Sequence, residues 1–273
     1  MKKNLKISLV ALIASGGILM QSCQKDDRFD PQFSLISKSN PDFYIERKGV
    51  FYGPTVPVGN GTARAWIRQN ETGKPVEAGL DLSEKALENL PVQPAEWILY
   101  FPRLRRESFY KHMLVGWNPQ GHEPEHVYDT PHFDFHFYWI TNEDRLAIEG
   151  VNPPYLDPAP EAQFIPDHYF EGPGIVPQMG VHWIDLLAPE FTGGTFSRTY
   201  IWGSYNGEFI FVEPMITNSY LLSHPDELID LREPSAYQRS GWYPKNYRVR
   251  YTPNPGRYSI SLTGLTFYEG ESD

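Results

Sequence analysis

A single cysteine, Cys23, is all that the chain offers, so no disulfide can form within one molecule and a disulfide-stapled fold is excluded. Long apolar runs are missing too: the longest, Ile7 to Met20, falls short of the ~20 residues that a helix needs to span a bilayer. Runs of basic residues are absent. A net charge of -10 and a sequence pI ≈ 5.3 argue against nucleic acid or an anionic membrane surface as partner, because both would repel such a surface at long range. Stretches of Ala, Leu, Glu and Lys at helical spacing are lacking. So are the Gly-x-Ser-x-Gly elbow, the glycine-rich phosphate loop and the His-Glu-x-x-His helix, which removes the commonest hydrolase and nucleotide-binding templates. No internal repeat is found.

Aromatic residues, by contrast, make up 15% of the chain, and prolines number 25. Strands favour aromatic and β-branched side chains, and proline punctuates short elements. The expected fold is therefore mainly β, a single antiparallel β-sandwich or barrel-like domain with a few short helices and long loops.

The first residues explain the one cysteine. Met1-Lys2-Lys3 and Lys6 precede the apolar run, and Gln21-Ser22-Cys23 closes it, the order of a secretion signal over residues 1–22. Leu19-Met20-Gln21-Ser22-Cys23 resembles a relaxed lipobox, and Gln24-Lys25-Asp26-Asp27 resembles the acidic surface-export tag of Bacteroidetes lipoproteins. The expectation is lipidation at Cys23 and anchorage in the outer membrane or at the cell surface, with the membrane as partner through the lipid. A diacylated cysteine is enough for stable anchoring, where one chain is not. Residues 23–40 are polar and aperiodic and read as a flexible tether. Residues 41–273 read as one β-rich domain, ordered from near Phe43, a size usual for a single all-β unit.

Within that domain, Gly61–Arg68 and Val76–Leu80 read as antiparallel strands about a turn at Asn70–Pro75. Asn206-Gly207, between Arg198–Tyr205 and Glu208–Glu213, is the strongest hairpin signal, since both residues tolerate positive φ. Trp97–Phe101, His112–Trp117 and Gly180–Ile184 read as further strands, and Tyr258–Tyr268 as a closing one. Short helices are expected at Ser83–Leu90, with Ser83 as cap, and at Ser223–Leu231.

The segment with most chemistry is His132-Phe133-Asp134-Phe135-His136-Phe137-Tyr138. Side chains alternate along a strand, so three phenylalanines face one way, while two imidazoles and a carboxylate face the other within ~14 Å. Imidazole and carboxylate are the usual ligands of zinc, iron or manganese. One strand cannot complete a coordination shell. His182 and Glu213 are the candidates on neighbouring strands, giving a proposed divalent-metal set of His132, His136, His182 and Glu213. Asp134, His122, Glu123 and His126 would orient or supplement those ligands. The same pattern also describes a polar outer face with a salt-bridged pair.

Five words of the sequence belong together: Gly59–Trp66, Gly116–Pro124, Pro131–Tyr138, Met179–His182 and Glu213–Thr217. They resemble a family of secreted bacterial proteins named after a Thermus protein, over roughly Phe51 to Leu222. The resemblance implies a β-rich single domain, allows a homo-oligomer and brings no assigned reaction. His122, His132, Asp134, His136, His182 and Glu213 all lie within its signature.

Three functions follow as alternatives. The first is a lipid-anchored protein with a divalent-metal site, whose reaction, if it has one, the sequence does not choose. The second is a non-catalytic envelope module that binds a ligand or partner through exposed Trp and Tyr side chains. The third is a structural oligomer whose histidines pack at a subunit interface.

Overall fold

The computed structural model describes residues 49–104, 108–150 and 157–271. The signal, Cys23, the tether and Phe43 lie outside them. The chain lays down β1 (Val50–Tyr52), β2 (Val56–Val58), β3 (Gly61–Gln69), β4 (Pro75–Ser83), β5 (Ala95–Tyr100), β6 (His112–Asn118) and β7 (His132–Tyr138). Then follow β8 (Tyr169–Glu171), β9 (Val181–Asp185), β10 (Arg198–Tyr205), β11 (Glu208–Thr217), β12 (Asp226–Asp230), β13 (Gly241–Tyr243), β14 (Asn246–Pro253), β15 (Gly256–Thr263) and β16 (Thr266–Tyr268). Two short α-helices, α1 (Asn142–Leu146) and α2 (Asn218–Leu222), complete the regular structure together with a few 3-10 turns. Among the described residues no helix is long and apolar enough to cross a membrane.

The strands form two large antiparallel sheets and a small ribbon. The first sheet runs β1-β3-β4-β15-β14-β12 with β2 also paired to β3; the second runs β5-β6-β7-β11-β10-β9-β8; β13 pairs with β16. Ala65, Leu80 and Ile260 of the first sheet share one continuous core with Phe133, Phe135, Phe137, Trp202 and Val212 of the second. The architecture is thus the mainly β sandwich expected from composition. The three phenylalanines of β7 are fully buried in it, each contributing about 1.5–3 kcal/mol of hydrophobic stabilisation.

Local chemistry explains the hairpins. Asn70 Oδ1 accepts from the backbone N–H groups of Thr72 and Lys74, both at 3.0 Å, so its side chain folds the β3–β4 turn. Asn206 (φ 53) and Gly207 (φ 79) join β10 to β11, the two positive φ values of a type I′ connection whose twist matches its strands.

Three expectations need correction. Ser83–Leu90 is not a helix: β4 continues through Ser83, paired with Arg257 of β15, and only Glu84–Leu87 turn as a 3-10 helix. Ser83 Oγ caps nothing there and instead accepts from Thr62 N at 2.9 Å. Ser223–Leu231 is not a helix either. Helix α2 ends just before it, His224 takes φ 56, and Asp226–Asp230 become the edge strand β12 against β14. The closing stretch Tyr258–Tyr268 is divided by Gly264 (φ 64) between β15 and β16.

A bulge shapes the centre of the second sheet. Gly203 pairs with Phe211 and Ser204 with Phe209, which leaves Ile210 of β11 as the extra residue. The slip turns both Ile210 and Phe211 away from the main core and into a second cluster with Leu114, Tyr138 and Ile148. A Cβ on Gly203 would lie 1.9 Å from the Phe211 ring. The ring therefore rests on bare backbone. Gly203→Ala should cost about 1–3 kcal/mol in urea unfolding, the usual penalty of overpacking; a loss under ~0.5 kcal/mol would show that the ring has room to move.

Candidate metal centre

Strand β7, third of the seven in its sheet, is buried on both faces. Its outward face carries His132, Asp134, His136 and Tyr138, all nearly inaccessible to solvent. Two apolar clusters flank it, one around Leu114 and Phe211, the other formed by Tyr128, Phe196, Ile201 and Met215. Polar groups thus sit behind the sheet in surroundings that penalise unpaired charge.

The strands bring two sets of ligand-type residues together. His136 of β7, Glu213 of β11 and His182 of β9 form one: potential ligand atoms of the three lie within 4.8 Å of one another. Register sets this up, since Met215 pairs with Asp134 and Val212 with Phe137, placing Glu213 beside His136. His182 pairs with Gly203. Its Nε2 reaches to 3.6 Å from Glu213 Oε2, and His136 Nε2 to 3.5 Å from Glu213 Oε1. The Phe211 ring, 5.0 Å from His136 and 5.4 Å from His182, holds both imidazoles in place.

The second set joins His122, His132 and Asp134 on the same 4.8 Å criterion. His132 Nδ1–H donates to the Thr130 carbonyl at 2.7 Å, and His122 Nδ1–H to that of Glu123 at 2.6 Å. Those bonds fix the tautomers, because a carbonyl can only accept. Each Nε2 then faces Asp134, at 3.2 Å from Oδ1 for His132 and 3.5 Å from Oδ2 for His122. Asn118, at the end of β6, donates to Oδ2 at 2.6 Å. Sequence reasoning gave no role to Asn118, although its register position opposite His132 would have shown it.

The expected four-ligand set is therefore divided: His136, His182 and Glu213 meet, while His132 sits with Asp134 and His122. His126 is apart from both, its side chain exposed beside Glu125 and Asp129. Glu123, His122, Asp134, His136, His182 and Glu213 line one cavity of ≈ 360 Å³, together with apolar side chains that include Met179, Ile184, Ile201 and Met215. Among the described residues no Lys or Arg lines it.

Burial dominates the electrostatics. It lowers His136 to about 3, with the neighbouring His182 adding to the effect and Asp134 opposing it. It lowers His182 to about 4, and pushes Glu213 well above the carboxylate range, reinforced by the Asp134 charge. Burial would also raise Asp134, but the adjoining His122 and His132 imidazoles hold it well below the ordinary value. Several buried atoms remain without a hydrogen-bond partner in the protein: both ring nitrogens of His136, His132 Nε2, Asp134 Oδ1 and Glu213 Oε2. The Leu114 backbone is close enough to favour protonated His136 slightly, yet outside hydrogen-bond geometry.

Asp81, on the first sheet, shows the contrast. Its carboxylate accepts from Trp66 Nε1 and Ser259 Oγ and pairs with Arg257 at 3.2 Å. Buried carboxylates are normally satisfied in this way, and Glu213 is not. Neutral imidazoles beside a carboxylate make a donor set suited to a divalent cation.

The fold and the two groups define the chain as a mainly β sandwich with buried His/carboxylate clusters able to hold a metal ion. In comparisons with known proteins, no family model, no curated protein and no solved structure matches it.

His112 stands outside both groups, stacked on Tyr138 at 4.9 Å and 2°. Burial lowers it to about 4, aided by Arg145 and weakly opposed by the Ile140 backbone. A depressed base is neutral in the folded protein and charged in the unfolded chain below the reference value of 6.5. Its contribution to stability is therefore intact above that pH and declines as pH falls toward 4. His112→Phe should remove on the order of 2 kcal/mol of the stability lost between pH 7.5 and pH 5, measured by urea unfolding at both. An unchanged pH slope would rule out a neutral His112.

Proposed function

We propose that this is a lipid-anchored envelope protein whose cavity holds a divalent cation on His136, His182 and Glu213. The observation that carries the reading is Glu213, a carboxylate buried to 2% exposure with two imidazole nitrogens within 3.6 Å and no Lys or Arg among the described residues lining the cavity. Without a cation, burial pushes that carboxyl well above the carboxylate range and disfavours its charged form. A dication would reverse this, draw the proton off and use both imidazole lone pairs.

Two imidazoles and one carboxylate suit zinc, iron(II) or manganese and leave coordination positions open. A cation held in this way supplies Lewis acidity toward an oxygen donor. The protein's part is to fix the ligands: β7, β11 and β9 present one each, Phe211 wedges the rings, and the apolar lining limits water. The lipid anchor rests on the lipobox-like run ending at Cys23, and the secreted family that the sequence resembles accords with an address outside the cytoplasm.

Two measurements test this. The full chain, purified without a histidine tag, should carry divalent metal by elemental mass spectrometry, and His182→Ala and Glu213→Gln should each weaken its retention at least about tenfold, since loss of one ligand is worth more than ~1.4 kcal/mol. Absence of metal after exposure to zinc, manganese and iron(II), or retention by both variants equal to that of the unsubstituted chain, would sink the metal site. Separately, Cys23→Ala should move the protein from the membrane to the soluble fraction. If it stays with the membrane unchanged, the anchor lies elsewhere.

A further inference from the structure

We infer that His122, His132 and Asp134 hold a second divalent cation beside the first, and that the pair binds the oxyanion headgroup of a molecule with an apolar body. This rests on the first cation site and extends it. The argument starts from the His132–Asp134 gap. His132 is wholly buried and Asp134 only 7% exposed; Nε2 and Oδ1 are 3.2 Å apart, yet neither has a hydrogen-bond partner. With Nδ1–H committed to the Thr130 carbonyl, Nε2 is the ring atom left to face the carboxylate oxygen. A ring nitrogen and a carboxylate oxygen held face to face take a positive charge between them, a proton or a metal cation, and one cation serves both imidazoles beside Asp134 where each proton serves one.

His122 repeats the arrangement on the other carboxylate oxygen, its Nδ1–H donating to the Glu123 carbonyl. Ligand histidines that donate their second nitrogen to a backbone carbonyl are the usual way of fixing a metal-binding tautomer. Asn118, donating to Asp134 Oδ2, fixes the carboxylate. The His122 side chain is 38% exposed, so this position lies on the solvent side, with the His136 group deeper.

The ligand class follows from charge and lining. Two dications against Asp134 and Glu213 leave the cavity positive, and Glu123 offsets only part of the excess. With no Lys or Arg among the described residues that line it, the cations themselves are what would attract an anion there. The remaining wall is largely apolar: Val176, Met179, Ile184, Ile201 and Met215 line it. A cavity of ≈ 360 Å³ is large enough for a small amphiphile. An oxyanion would bridge toward the cations while a hydrocarbon chain covers the methionines and isoleucines.

The test uses the tag-free full chain, titrated with zinc after chelation and dialysis. The wild type should bind two equivalents. His122→Ala, at a partly exposed side chain, and Asp134→Asn should each bind one, and Glu213→Gln should lose the other. Saturation at one equivalent, lost in Glu213→Gln but kept in His122→Ala and Asp134→Asn, would overturn the second position and leave the first site standing. No binding at all would overturn both. In the cobalt-loaded protein, inorganic phosphate and hexyl phosphate should both shift the visible absorption, hexyl phosphate at about tenfold lower concentration or less because its chain buries apolar surface. In His122→Ala the phosphate response should weaken. No shift with either anion, or equal affinity for the two, would overturn the ligand class.

Discussion

A carboxylate taken out of water needs either hydrogen-bond donors or a positive charge close by. That requirement governs the outer face of the second sheet. Asp134 and Glu213 are both buried there, with imidazoles beside them and, among the described residues, no guanidinium or ammonium group in the cavity lining. The chain does solve the problem conventionally at Asp81, with Trp66, Ser259 and Arg257. Leaving Glu213 Oε2 and Asp134 Oδ1 without such partners while orienting four histidines toward them is a specific arrangement. It makes sense when a cation is the missing partner.

The sandwich makes the arrangement possible by giving one strand two tasks. Phenylalanines of β7 fasten it to the first sheet, and the residues between them form the floor of the cavity. The bulge at Ile210 adds a local adjustment, turning Phe211 outward against Gly203, where it supports His136 and His182. Long loops then close over polar groups that a simple two-layer fold would leave wet.

Much of this could be read from the residues. The alternation of His132-Phe133-Asp134-Phe135-His136 gave the two faces of β7, because strand periodicity is local and strict. Asn206-Gly207 announced its hairpin for the same reason. The failures came where tertiary pairing overrode local signals. Ser83 has the chemistry of a helix cap, but pairing of β4 with β15 claims it; Ser223–Leu231 has no strong strand pattern, yet β14 supplies an edge for Asp226–Asp230. The division of the histidines into two groups was hidden as well, since it depends on which loop carries His122 back over β7. Sequence spacing holds no information about that path.

The position of β7 also bears on kinetics. It is hydrogen-bonded on one side to β6 and on the other to β11, and packed above and below, so its amides should exchange with solvent only when the whole domain opens. His132, Asp134 and His136 share that slow clock. Traffic into and out of the cavity must then be timed by the covering segments that bear His122, Tyr128 and Met179, leaving the floor a fixed reference against which those segments move.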